Sequence, residues 1–274
     1  MQRLGFIGGG NMAEAIVRAA IDRGVVAPQD IVVSDPSEAR RNAMASNGVR
    51  VTASNADVVA SVEQIVLAVK PQAAAEPAGE VGAALRDDQI VISIMAGLST
   101  AKLAALIRAG MPGGGEERRV RLVRVMPNTP VMAGQGMSGV ALGGEAEAGD
   151  DALALAIMSA GGSAIRVDES QLDAITAVSG SGPAYSFFLA EAMQRAATEL
   201  GLGEHASTLV TQTLLGAARL LDESADDAAA LRKKVTSPGG TTEAAIRSLE
   251  DAGVADAVVA AIRAAEARSR ELGA

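Results

Sequence analysis

Eight short apolar runs punctuate the first two-thirds of the chain: RLGFIG (3–8), DIVVSD (30–35), VRVT (49–52), QIVLAV (64–69), QIVISI (89–94), VRLVRV (120–125), GVALG (139–143) and SAIRVD (163–168). Most are separated by stretches with apolar residues at helical spacing. Met12, Ile16, Ala19 and Ala20 form one such stripe, and Gly24 follows as a helix stop. Runs apolar on both faces, alternating with helices, predict a doubly wound, mostly parallel sheet covered on both sides. After Val167 the texture changes. The remaining chain shows almost no strand pattern, only Ala/Leu-rich stretches predicting helices over 184–201, 206–222, 228–235, 242–252 and 255–272. The expectation is an α/β domain over 1–168 followed by an all-α domain over 169–274. The stretch TLVTQTLLGAARLL (208–221) lacks a polar face. A helix apolar nearly all round is usually buried, and in so small a domain another subunit is the natural cover. The glycine-rich segment MPGGGEERR (111–119) reads as a surface loop.

Composition narrows the function classes. Hydrophobic residues make up 49% of the 274 but aromatics only 1%, so the core must be built from Ala, Val, Leu, Ile and Met. Few aromatic platforms weigh against nucleic-acid stacking. Lys and Arg number 24 against 33 acidic residues, a net charge of −9, and the cationic tracts are short, Arg118-Arg119 and Lys233-Lys234 with Arg232 before it. No phosphate-backbone footprint is expected from them. The absence of cysteine excludes disulfides, thiolate metal sites and cysteine nucleophiles, and His205 is the only histidine, so no metal site is expected. The start, MQRLGFIGGG, enters a strand pattern at once, and no run of 18 apolar residues appears. A soluble cytoplasmic protein is the expectation.

The first strand runs directly into Gly8-Gly9-Gly10-Asn11-Met12-Ala13, a GxGxxA form of the dinucleotide fingerprint. Gly8 permits the tight turn, Gly10 lets a pyrophosphate approach the backbone, and Ala13 keeps the helix close to the sheet. The second strand ends in Ser34-Asp35-Pro36. An acid there hydrogen-bonds an adenosine ribose and repels a 2′-phosphate, or is simply a turn-forming Asp-Pro. Arg40 and Arg41 follow and pull the other way, so NADH and NADPH both stay open. Three further strand ends, at Ala68-Val69-Lys70-Pro71, at Ala96-Gly97 and at MPNTP (126–130), occupy the carboxyl edge where ligands bind in open α/β sheets.

Near the other end, VTSPGGTTEAAI (235–246) combines a Pro-Gly turn with two threonines and a helix start. Backbone amides aimed at one point suit a small carboxylate without a cationic side chain. The plain alternative is a turn whose threonine caps the next helix. His205 reads as solvent-exposed near a helix start and Tyr185 as packing at the domain junction. Glu169 and Asp173 read as capping or solvated residues at the boundary.

Taken together, FIGGGNMAEAI (6–16), LAVKPQ (67–72), SIMAG (93–97), RVMPNTP (124–130), DAITAVSGSGPAY (173–185) and VTSPGGTTEAAI (235–246) resemble the pyrroline-5-carboxylate reductases, in order and spacing, across essentially the whole chain. The resemblance implies an N-terminal Rossmann domain, a C-terminal helical dimerisation domain, and an active site where the two meet. It implies hydride transfer from NADPH or NADH to the ring imine of 1-pyrroline-5-carboxylate, giving L-proline, in a homodimer or dimer-based oligomer. By motif match, Gly10, Asn11 and Met12 contact the cofactor pyrophosphate, with Gly8 in the same turn. Ser34, Asp35 and Asn55 face the adenosine. Ala68, Val69, Lys70, Pro71, Ala96 and Gly97 line the nicotinamide side. Ser237, Gly239, Gly240 and Thr242 hold the substrate, and Thr242 is the catalytic candidate, its hydroxyl on the imine nitrogen. Asp35 departs from the basic or small polar residue that many members carry. A β-hydroxyacid dehydrogenase shares the two-domain plan but needs a lysine where Ser186 stands. An imine reductase for another substrate and a non-catalytic nucleotide sensor are the remaining alternatives.

Overall fold

The computed structural model describes residues 3–114 and 118–273, so the loop expected at 111–119 falls partly outside the described residues. By packing, the chain divides into two compact units, Met1–Ser181 with Ala265–Ala274, and Gly182–Ala264. The change of sequence texture at 168/169 and this packing boundary are thus separate divisions of the chain.

The first unit follows the order β1 (Leu4–Ile7), α1 (Asn11–Asp22), β2 (Ile31–Ser34), α2 (Glu38–Ala45), β3 (Arg50–Thr52), α3 (Asn55–Ser61), β4 (Gln64–Leu67), α4 (Ala75–Ala84) and β5 (Ile90–Ser93). It continues through α5 (Thr100–Ala109), β6 (Arg121–Met126), β7 (Gly136–Leu142), α6 (Ala152–Ala160), β8 (Gly162–Arg166) and α7 (Leu172–Ile175). The strands form one sheet in the order β3-β2-β1-β4-β5-β6-β7-β8. All neighbours are parallel except β6 and β7. Strands β1, β2, β4 and β5 are buried at every position, which is why their sequences are continuous apolar runs and not alternations. Successive side chains still go to opposite faces. Leu4, Phe6, Ile31 and Val33 pack on Ile16, Val17 and Ala20 of α1. Ile7, Val32, Ile65 and Leu67 pack on Val58 and Val59 of α3, Val81 of α4, and Leu103 and Ile107 of α5.

Helices α4 and α5 touch backbone to backbone. A Cβ built on Gly82 would fall on the Ile107 carbonyl, and one on Gly110 on the Gly79 carbonyl. Neither carbonyl can move without disturbing its helix. Gly82→Ala is therefore expected to destabilise the protein by about 1–3 kcal/mol through overpacking. Urea denaturation checks this, and an unchanged midpoint would mean that the two helices separate at no cost.

A second stabilising cluster closes the sheet near β6. Arg121 forms a two-pronged pair with Asp150, Nε to Oδ2 at 2.9 Å, and the Glu147 amide donates to the same carboxylate at 2.8 Å. Burial alone would raise the Asp150 carboxyl, but the hydrogen bonds from Arg121 and the Glu147 amide, with the arginine charge, hold it below the usual carboxylate range. Glu145 is lowered in the same way: its burial is outweighed by the Val120 amide and by Arg108. A depressed carboxylate stabilises the fold above its unfolded value of about 4 and loses that contribution as pH falls through the folded value. Thermal stability is expected to drop on acidification below about pH 4, and Asp150→Asn to flatten that drop. Parallel melting curves for the two proteins across the acid range would show that Asp150 contributes nothing.

The second unit consists of α8 (Gly182–Glu199), α9 (Ala206–Glu223), α10 (Ala228–Lys234), α11 (Thr241–Asp251) and the beginning of α12 (Val254–Gly273). From Ala265 onward α12 belongs to the first unit. There the Ser269 hydroxyl donates to Asp173 at 2.7 Å, and a Cβ on Gly97 would come within 3.1 Å of Leu272 Cβ. Asp173 and Glu169 both face the buried Arg124, at 3.8 and 3.4 Å. Glu169 also accepts from the Thr100 amide at 2.7 Å and the Thr100 hydroxyl at 2.5 Å. So Glu169 caps a helix 69 residues away in sequence, not the domain boundary where it stands.

Candidate functional site

The turn after β1 is shaped by its glycines. Gly8 has φ +99°, a conformation natural to glycine, and its amide donates to the Ser34 carbonyl at 2.8 Å, locking the turn onto β2. Gly10 stands before α1 in extended conformation, and no side chain caps that helix. Its first-turn amides are left to an external acceptor, where the helix dipole favours an anion. A Cβ on Gly10 would meet no atom within 4 Å. This is an open cradle at a helix N-terminus, and it fits a pyrophosphate.

The cradle opens into a cleft of ≈ 860 Å³, within the range of small-molecule sites. Of the cofactor residues expected from sequence, Gly8, Gly10, Ser34, Asp35, Asn55, Ala68, Val69 and Lys70 line this cleft together. Asn11 and Met12 open α1 directly behind Gly10, and Pro71 follows Lys70. Ala96 and Gly97 lie beyond the end of β5, outside the cleft lining; Ala96 is exposed, while Gly97 is buried with φ +71°. The Ser34 hydroxyl donates to Asn55 Oδ1 at 2.6 Å, and Asn55 Nδ2 to Glu80 at 2.5 Å. Glu76 and Glu80 of α4 also line the cleft. Sequence reasoning missed both, because acids at helical spacing look like an ordinary solvated face.

The substrate candidates lie in the second unit. The Gly240 amide donates to the Ser237 carbonyl at 3.0 Å, closing a four-residue turn with Pro238 and Gly239 at its centre. Gly239 has φ +74°, as position i+2 of a type II turn demands. The Gly239 amide donates to Glu243 at 2.8 Å. Both turn glycines thus use their amides internally. The α11 N-terminus behind them carries no side-chain cap, so its first-turn amides have no intrahelical acceptor. Thr242 sits in that first turn, half-buried, and Ser237 is exposed.

The two remaining motifs meet in the first unit. Asn128 of RVMPNTP donates from Nδ2 to the Ser179 carbonyl at 3.1 Å and hydroxyl at 3.2 Å, while its Oδ1 accepts the Met137 amide at 2.8 Å. Residues Thr176–Gly180 form a π-helical turn, whose wider winding frees carbonyls that need outside donors. A Cβ on Gly180 would strike Met126 Cε at 2.5 Å. The asparagine and the glycine are matched across the contact. His205 is exposed and Tyr185 half-buried. Among the described residues no group of three or more His, Cys, Asp or Glu could hold a metal, and no helix is long and apolar enough to cross a membrane.

Comparison with known proteins covers both units. Residues 169–272 match the family described as pyrroline-5-carboxylate reductase dimerisation, and residues 3–97 the family described as NADP oxidoreductase, coenzyme F420-dependent. A pyrroline-5-carboxylate reductase of Pseudomonas aeruginosa is 44% identical over 273 residues, covering 98% of this chain and 96% of that protein. The solved structure of a pyrroline-5-carboxylate reductase from Coxiella burnetii superposes with a TM-score of 0.89 at 37% identity, over 100% of this chain and 99% of that one. That of the Plasmodium falciparum pyrroline carboxylate reductase with NADP bound gives 0.86 at 28% identity, over 100% and 98%.

Proposed function

The chain belongs to the pyrroline-5-carboxylate reductase family, and from that premise we propose that it reduces 1-pyrroline-5-carboxylate to L-proline with NAD(P)H, the last step of proline biosynthesis. The observation that carries this reading is the near-full-length match to such reductases, which spans both the glycine cradle and the Ser-Pro-Gly-Gly-Thr-Thr turn. We assign residues 1–168 to cofactor binding and 169–274 to substrate binding and dimerisation, the latter supported by the family match over 169–272.

When bound, the reduced nicotinamide supplies a hydride to the ring C=N carbon. The chain's residues supply position and charge. Gly8, Gly10, Asn11 and Met12 form the pyrophosphate cradle, Ser34, Asp35 and Asn55 the adenosine wall, and Ala68 to Pro71 with Ala96 and Gly97 the nicotinamide side. The first-turn amides of α11 and the Ser237 hydroxyl hold the substrate carboxylate. Gly239 and Gly240 serve that pocket through the turn they form. The Thr242 hydroxyl faces the imine nitrogen and donates to the lone pair that appears there as the amine forms, so the contact strengthens as reduction proceeds. A protonated imine is already electrophilic, so no strong acid in the protein is required.

Association through the helical unit belongs to the same proposal. No residue of α8, α10 or α11 is buried, and Phe187, Phe188, Leu215 and Leu220 are all more than half exposed. Apolar faces of this extent call for a second copy to cover them. A cytoplasmic location accords with the need for a reduced dinucleotide. The test is loss of NADH and NADPH absorbance when pyrroline-5-carboxylate is added, with proline identified as product. Cofactor binding without turnover would defeat the proposal.

A further inference from the structure

The lining of the cleft carries an excess of negative charge. Asp35, Glu76 and Glu80 line the cleft, against the one ammonium of Lys70. Asp35, just beyond β2, is fixed by two backbone amides: Gly9 donates to its Oδ2 and Ser37 to its Oδ1, each at 2.9 Å. A carboxylate oxygen has a second lone pair, so the group is held rigidly with acceptor capacity to spare. Glu80 is tied to the same strand end through Asn55 and Ser34.

The two arginines of α2 are the cations that sequence places near Asp35, and both are engaged by backbone carbonyls outside the cleft lining. Arg40 donates from Nε to the Gly9 carbonyl at 2.6 Å, from one terminal nitrogen to Asn11 at 3.2 Å, and from the other to Glu14 at 2.9 Å. All three nitrogens are occupied, and Glu14 neutralises the charge. Arg41 bridges the Asp35 and Pro36 carbonyls at 2.8 and 2.9 Å. Neither lines the cleft.

We propose that Asp35, reinforced by Glu76 and Glu80, makes this protein select NADH over NADPH. The inference rests on the reading of the cleft as the dinucleotide site. A free ribose 2′-hydroxyl donates to the Asp35 carboxylate; a 2′-phosphate instead brings between one and two more negative charges into a cleft lined by three carboxylates, with no arginine among the lining residues to receive them.

The experiment is a fluorescence titration of the full chain with NADH and with NADPH, without substrate, for the wild type, Asp35→Ser, Glu80→Gln and Arg41→Ala. The wild type is expected to bind NADH at least about tenfold more tightly. Asp35→Ser should narrow that ratio by about tenfold or more, chiefly by tightening NADPH, and Glu80→Gln should narrow it less. Because Glu80 is held by Asn55 of α3, whereas Asp35 accepts the Gly9 amide, its effect separates charge from any loosening of the glycine turn. Equal or tighter binding of NADPH by the wild type overturns the proposal. So does a ratio unchanged in both acid variants, or an Arg41→Ala variant that loses NADPH selectively. Failure to bind either dinucleotide removes the cleft assignment and this inference with it. A protein that binds with the expected ratio yet does not turn over pyrroline-5-carboxylate sinks only the reaction.

Discussion

Gly10→Val is expected to fold normally and yet bind NAD(P)H at least about a hundredfold more weakly, a loss of about 2.7 kcal/mol. The two halves of this expectation come from the same geometry. The Gly10 backbone, at φ −69° and ψ 175°, is extended, a region that β-branched residues favour. The space around the added Cβ is empty to 4 Å, so the branch point itself meets no clash. That emptiness adjoins the uncapped first turn of α1, where the pyrophosphate is assigned. Two extra methyls would occupy the ligand's place and block its approach to the amides. A thermal melt and a cofactor titration on the same sample measure both halves. Undiminished affinity would move the phosphate cradle elsewhere; a collapsed melting temperature would show that the glycine serves the fold.

Thr242→Ala is expected to lower turnover by about ten- to a thousandfold, or roughly 1.4–4 kcal/mol of transition-state stabilisation. Thr242 lies in the first turn of α11 and is half-buried. Alanine is the better helix former there, so lost stability is not the route to lost rate. Thr242→Ser keeps the hydroxyl and should recover most of the activity. The informative quantity is kcat, because a contact that strengthens only as the imine is reduced leaves KM little changed. Full turnover in the alanine variant would take Thr242 out of the mechanism.

Much of this architecture was legible from the chain. Strands buried on both faces announce themselves as continuous apolar runs, and all eight lie where the runs predict, with β7 beginning three residues early at Gly136. The direction of β7 was not legible, because apolarity carries no sign of parallel or antiparallel pairing. The fingerprint glycines and the Pro238-Gly239 turn were readable because each position has a specific backbone requirement. What sequence could not supply was partnership at long range. The π-turn at Thr176–Gly180 lies where the pattern predicts no element, and its partner Asn128 stands 51 residues upstream of Ser179. Glu169 looks like a boundary residue until Thr100 is found in its grip. The engagement of Arg40 by Gly9, Asn11 and Glu14 is likewise a partnership that the spacing of residues does not show.

The return of residues 265–274 to the first unit bears on how the protein is made. Translation delivers the whole eight-stranded sheet before any of α12, so the nascent sheet must wait on the ribosome with Asp173 lacking Ser269 and Gly97 lacking Leu272. The cofactor-binding half, first to be synthesised, is among the last to be completed. An expression clone stopped at Ser181 would reproduce that unfinished state permanently, and stitching the sequence 265–273 back onto it is the rational way to obtain the half on its own.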